Sequence, residues 1–126
     1  MKLHLNTPAG LNSISGHGPG FVIVNSMRLE SAAIVMPDKL ISPWLVADPS
    51  AVNLADFADL LALRPELVIF GSGASFRFPD PRIMAAFTRA RIGFDVMDTP
   101  AACRTYNVLS GEGRMVAAAL LIQAPA

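Results

Sequence analysis

Apolar residues along this chain come in two patterns. In the first third they form short continuous runs bounded by turn residues. Phe21 to Asn25 and Met27 to Met36 contain two such runs, Phe21-Val22-Ile23-Val24 and Ala32-Ala33-Ile34-Val35-Met36, both rich in residues that favour strands. Asn25-Ser26 between them has turn chemistry and predicts a hairpin, which Pro37-Asp38 ends. Ile41 to Val46 reads as a third strand, placed at an edge or made irregular by Pro43, with Trp44 as a core anchor.

From Asn53 onward, helical spacing alternates with strand-like runs. Asn53 is a good N-cap, Asp56 stands at N3, and Leu54, Phe57, Leu60 and Leu61 share one face, so a helix is predicted that Arg64-Pro65 stops. Leu67 to Phe70 is apolar on both faces, as a central strand is. Asp80-Pro81 opens a second helix, expected to carry Ile83, Met84 and Phe87 inward and to end with Arg89 and Arg91 near its negative pole. Phe94 to Met97 is a short strand. Thr99-Pro100 repeats the cap-then-proline signal for a helix running to about Leu109 and closed by Gly111. The last run, Arg114 to Ile122, is alanine-rich and helical by propensity. Its place after a glycine-bounded turn, and the need of the buried strands for a partner, make it a strand.

A β-rich start followed by αβαβαβ predicts a layered α/β domain with a mixed sheet, one unit over residues 1–126. Residues 1–18 read as an irregular N-terminal arm with room for a short edge strand. His4 and His17 lie in this region with no Cys, Asp or Glu between them, so they read as ordinary exposed histidines and not as metal ligands.

Composition narrows the function classes. Of 126 residues, 52% are apolar and 16% charged, which fits a packed core and argues against disorder. Ten basic and ten acidic residues cancel, leaving no overall footprint for nucleic acid or an anionic membrane. The one cysteine, Cys103, has no partner for an internal disulfide, as expected in a reducing cytosol. The longest apolar run, Val116 to Ile122, falls far short of the roughly 20 residues that span a bilayer. No signal-peptide pattern follows Lys2, and the expected setting is soluble and cytoplasmic.

Candidate chemistry gathers in two loops that successive βα units place at one end of a parallel sheet, where open α/β sheets hold ligands. Gly71, Ser72, Gly73 and Ala74 follow the central strand and resemble an anion-binding nest, although a tight turn without a ligand explains them equally well. In the second loop, Asp98 and Thr99 precede a helix whose free N–H groups, with Arg104, suit an anionic group. Pro100, Cys103, Arg104 and Asn107 fall on roughly one side of that helix. The alternative is that Asp98 and Thr99 only cap it while Arg104 pairs with Asp98 or another acid. Cys103 is either a nucleophile or a small core residue, and Tyr106 is expected to pack against Ala102 and Leu109 with its hydroxyl at the surface. No paired carboxylates, metal cluster or Ser/His/Asp set stands out, so no catalytic residue, metal or cofactor is assigned.

The stretches Met97 to Leu109 and Glu112 to Leu120, with Gly71-Ser72-Gly73 and Gly16 to Phe21, resemble a family of small α/β proteins. That family includes the mitochondrial complex I (NADH:ubiquinone oxidoreductase) assembly factor 3, the adipogenesis-associated domain protein and many bacterial members. The resemblance runs from about residue 14 to 122. It implies a three-layer α/β fold around a mixed central β-sheet, with an N-terminal β-hairpin and about three helices, and no established catalytic activity. With no mitochondrial targeting pattern, the chain is read as a bacterial member. The implied function is a non-enzymatic assembly or interaction factor with a protein partner and an exposed apolar patch near the hairpin and Trp44. The alternative is a pocket for a small anionic or polar metabolite between the 71–75 and 97–104 loops, with a cysteine-dependent enzyme third. Oligomeric state has no signal in the sequence.

Overall fold

The computed structural model describes residues 3–5 by their backbone, and residues 11–46 and 48–122 in full. In chain order the elements are β1 (Leu3–Leu5), β2 (Ile14–Gly18), β3 (Phe21–Val24), β4 (Met27–Leu29), β5 (Ala33–Met36) and β6 (Lys39–Ser42). A 3₁₀ turn (Leu54–Phe57) leads into α1 (Ala58–Leu63), followed by β7 (Leu67–Gly71), α2 (Pro81–Arg89), β8 (Gly93–Met97), α3 (Thr99–Gly111) and β9 (Val116–Leu120). Six strands form one mixed sheet in the order β1-β6-β5-β9-β7-β8, and β2-β3-β4 form a separate antiparallel sheet. β7 runs parallel to both β8 and β9, while β9 meets β5 antiparallel.

The side-chain alternation of β7 and β9 divides the interior into two cores. Val68, Phe70, Ala117 and Ala119 face one way, against Phe57, Leu60, Ile83 and Phe87 of the first two helical elements. Ile69, Val116, Ala118 and Leu120 face the other way, against Ala102, Cys103 and Tyr106 of α3 and Val22, Val24 and Leu29 of the small sheet. The result is three layers: 3₁₀–α1 and α2, the mixed sheet, then α3 with β2-β3-β4. β9 is buried at all five positions, which explains why alanines of poor strand propensity hold a strand there. Phe57 centres the first core, with ring centroids 5.3 Å from Trp44, 5.7 Å from Phe70 and 5.9 Å from Phe87 and Phe94. Rings at these separations and edge-on angles interact favourably beyond the area they bury.

Local signals account for most element ends. Asn53 and Asp56 form a reciprocal capping box at the 3₁₀ turn. Arg64 ends α1 in the left-handed region at φ 50°, and its guanidinium donates to the Ala90 carbonyl just past α2. Asn25 and Ser26, both at positive φ, turn β3 into β4.

Four expectations are corrected. Across Asn25-Ser26 the hairpin takes in only Met27–Leu29, and Ala33–Met36 belongs to the other sheet, where it pairs with β6 across Pro37-Asp38. The third strand spans Lys39–Ser42 and not Ile41 to Val46, because Pro43 offers no N–H to continue the ladder and Trp44 N–H turns back to the Ala32 carbonyl. Met84 lies on the outer side of α2, since Ile83 and Phe87, four apart, already fill the inward stripe. The arm read as irregular does hold the short edge strand it had room for, Leu3–Leu5 against β6, but Ile14–Gly18 is a second strand, paired with β3. His17 is exposed on β2, and the side chain of His4 lies outside the described residues.

Candidate functional site

The two βα loops do meet at the carboxyl end of the parallel strands, and they are bonded to each other. Thr99 Oγ1 accepts from Gly73 N–H at 2.9 Å and donates to the Leu121 carbonyl at 2.7 Å, while Thr99 N–H donates to the Gly73 carbonyl at 2.8 Å. Ser72 N–H donates to the Met97 carbonyl, and the Ser72 hydroxyl donates to the Ser75 carbonyl while accepting from Arg77 N–H. Gly71 lies so close to α3 that a Cβ there would stand 2.9 Å from Thr99 Oγ1. Gly73 sits at φ 104°, a conformation open to glycine, and this turns its N–H and carbonyl together toward Thr99. The N–H groups of Ser72 and Gly73 are therefore already engaged within the protein.

The remaining candidates on α3 separate in direction. Asp98 is the N-cap and accepts from Ala101 N–H at 2.8 Å. Arg104 is exposed and makes no ion pair among the described residues, so it does not pair with Asp98. Cys103 is 1% exposed in the second core, and burial pushes its thiol up to about 12 against a slight opposing pull from Arg104. A thiol so held stays protonated and unreactive near neutrality. Asn107 clamps the start of β2: its Oδ1 accepts from Ile14 N–H at 2.9 Å and its Nδ2 donates to the Ile14 carbonyl at 2.7 Å. Tyr106 differs from expectation. Its ring is fully buried and its hydroxyl donates to the Asn12 carbonyl, because β2 and the segment before it cover that side of α3. Burial also raises its phenol well above the ordinary value.

Concave surface lies on the other side of the sheet end. A cavity of about 270 Å³ is bounded by Ser50, Val52 and Asn53 before the 3₁₀ turn and by Ser72, Arg77 and Phe78 after β7, with Phe70 and Leu121 as its floor. Across Phe78, Pro79 and Asp80 it continues into a shallow apolar groove of about 580 Å³ along α2, walled by Pro81, Met84, Ala85, Thr88 and Arg89. Phe76 and Phe78 stand 51% and 73% exposed, edge to face with centroids 4.8 Å apart. Asp80 caps α2 and pairs with Arg82 at 2.7 Å, which holds its carboxyl below the usual range. Of the apolar patch expected around the hairpin and Trp44, Leu45 and Met27 are exposed, but Trp44 is not part of it. Trp44 is buried and its indole N–H donates to the Asp56 carbonyl.

Sequence reasoning passed over Phe76-Arg77-Phe78 because the segment has neither helical nor strand period. The signal was two aromatic residues around an arginine in a loop that ends on Pro79-Asp80-Pro81, where no element would bury them. Among the described residues, no group of three or more His, Cys, Asp or Glu could hold a metal ion. No helix among them is long and apolar enough to cross a membrane.

Similarity to known proteins follows the same boundaries. The family described as a protein of unknown function (DUF498/DUF598) matches residues 14–121. The chain is 31% identical over 121 residues to NADH dehydrogenase (ubiquinone) 1 alpha subcomplex assembly factor 3 of Bos taurus, covering 94% of this chain and 65% of that protein. The chain thus spans less than two thirds of that relative's length. It is also 31% identical over 113 residues to an uncharacterised protein of Rhodobacter capsulatus, covering 90% of this chain and 86% of the relative. The crystal structure of a Bordetella parapertussis protein superposes with a TM-score of 0.84 at 30% identity, covering 93% of this chain and all of that one.

Proposed function

Because the chain belongs to the DUF498/DUF598 family, we propose that it works as a non-enzymatic assembly or interaction factor, binding a protein partner during the building of a larger complex. The observation that carries this reading is the match of nearly the whole chain to a protein named as an assembly factor for NADH dehydrogenase. The exposed Phe76–Phe78 pair and the apolar groove beside it support the reading, since contiguous exposed apolar surface marks interaction sites. A role with NADH dehydrogenase itself is the finer form of the proposal, and a cytoplasmic setting goes with it. Crosslinking in the native host followed by mass spectrometry tests it. A reproducible protein partner is expected, and recovery of the bare chain at every crosslinker length would overturn the reading.

A second reading rests on the 270 Å³ cavity, whose mouth carries Arg77 without an ion pair among the described residues. It is a small-metabolite site for a carboxylate with a short apolar body. Its position moves the ligand from the crevice between the 71–75 and 97–104 loops to the α2 side of the sheet. A screen of small carboxylates by thermal melting should raise Tm for the wild type and leave Arg77→Ala unmoved. Equal shifts in both proteins would remove this reading.

A further inference from the structure

The groove along α2 has a definite chemistry. Its walls are apolar side chains of Phe78, Met84 and Ala85. Arg89 lines it at the end of α2, and Arg77 lines the cavity into which it opens at the start. Both arginines are exposed and unpaired among the described residues, whereas Asp80, the one acid along the groove, is held by Arg82 and by the cap of α2. In a chain of zero net charge this makes a local basic rim on an apolar trough. The nine residues of α2 set the trough's length at about 13 Å, roughly two and a half helical turns.

We propose that this groove receives an acidic amphipathic helix from a partner protein, with apolar anchors at i, i+3 or i+4, and i+7 and carboxylates at its flanks. Such a helix meets a groove through one apolar face. The arginines then set its register and exclude basic or neutral competitors. A second copy of this chain fits poorly, because a two-fold contact through this face sets Arg77 of one copy against Arg89 of the other, like charge against like. An anionic membrane would be met by a convex or flat surface more readily than by a trough. This proposal rests on the interaction-factor reading and names its partner chemistry.

Selection of a random 16-residue peptide display library on the full chain, with counter-selection on a Phe78→Ser/Met84→Ser variant, tests it. Both substituted side chains are exposed, and circular dichroism should show the variant folded. Enriched peptides should combine helical apolar spacing with an excess of Asp and Glu. Their binding should fall at least tenfold on Arg77→Glu/Arg89→Glu and should weaken as salt rises. No enrichment, enrichment without acidic excess, or equal binding to the Phe78→Ser/Met84→Ser variant would overturn it. So would a wild-type dimer in sedimentation that Phe78→Ser dissociates, or binding to phosphatidylglycerol vesicles lost in the same variant. A partner recovered by in-cell crosslinking but attached elsewhere would sink this inference and leave the interaction-factor reading standing.

Discussion

At Thr99 one hydroxyl accepts from Gly73 N–H and donates to the Leu121 carbonyl, joining the ends of three neighbouring segments in a buried site. Thr99→Val keeps the shape and leaves both backbone groups without that partner. Each buried group so stranded costs about 1–3 kcal/mol, so the urea midpoint should drop by the equivalent of about 3 kcal/mol. Cys103 makes an opposite kind of prediction. Its thiol has an ordinary value of 9.0 once unfolded and about 12 when folded, so between those limits the folded chain keeps a proton that the unfolded chain has lost. The stabilisation is complete below pH 9 and declines as pH rises, by up to about 1.4 kcal/mol per unit from this group. Burial of Tyr106 acts in the same direction from pH 10 upward. Urea titrations at pH 7 and pH 10 should therefore show a loss at the higher pH that is smaller in Cys103→Ala. A thiol probe at pH 8 should label Cys103 only in denaturant.

Among the elements, α3 and the small sheet depend on each other most visibly. Asn107 supplies an N–H and a carbonyl oxygen to Ile14 in the way a neighbouring strand would, so β2 has β3 on one side and a side-chain amide on the other. Asn107→Ala should cost about 2 kcal/mol and speed amide hydrogen exchange at Ile14 more than at Val22 or Val24. Equal protection at all three would show that β2 is held by its ladder alone. Element types were legible wherever period and cap agreed: Asn53, Asp80-Pro81 and the Leu67 to Phe70 run each mark an observed boundary. Reading failed where an element's partner is remote. Nothing local to Ala33–Met36 says that it leaves the hairpin for β9, more than eighty residues later in the chain.

For the whole molecule, the exposed aromatic pair is the feature without a structural duty. Phe76→Ser/Phe78→Ser should leave Tm within about 4 °C of wild type, because each substitution away from the core changes stability by about 0.5 kcal/mol at most. A larger drop would mean that the pair belongs to the core and not to an interface. The hydrophobic period, the caps and the family pattern in Met97 to Leu120 were enough by themselves to establish a three-layer α/β domain and its family, because these signals are local and repeat along the chain. Tertiary structure alone decided which candidate polar groups are engaged within the protein. Gly73, Thr99 and Asn107 read as ligand-seeking from their neighbours in sequence, but hydrogen bonds across 26 residues between Gly73 and Thr99, and across 93 between Ile14 and Asn107, engage their polar groups, while Arg104 stays exposed and without an ion pair among the described residues. Exposure depends on which surfaces the fold leaves over. Phe57, Phe87 and Phe94 lie in the core, whereas Phe76 and Phe78 are left exposed.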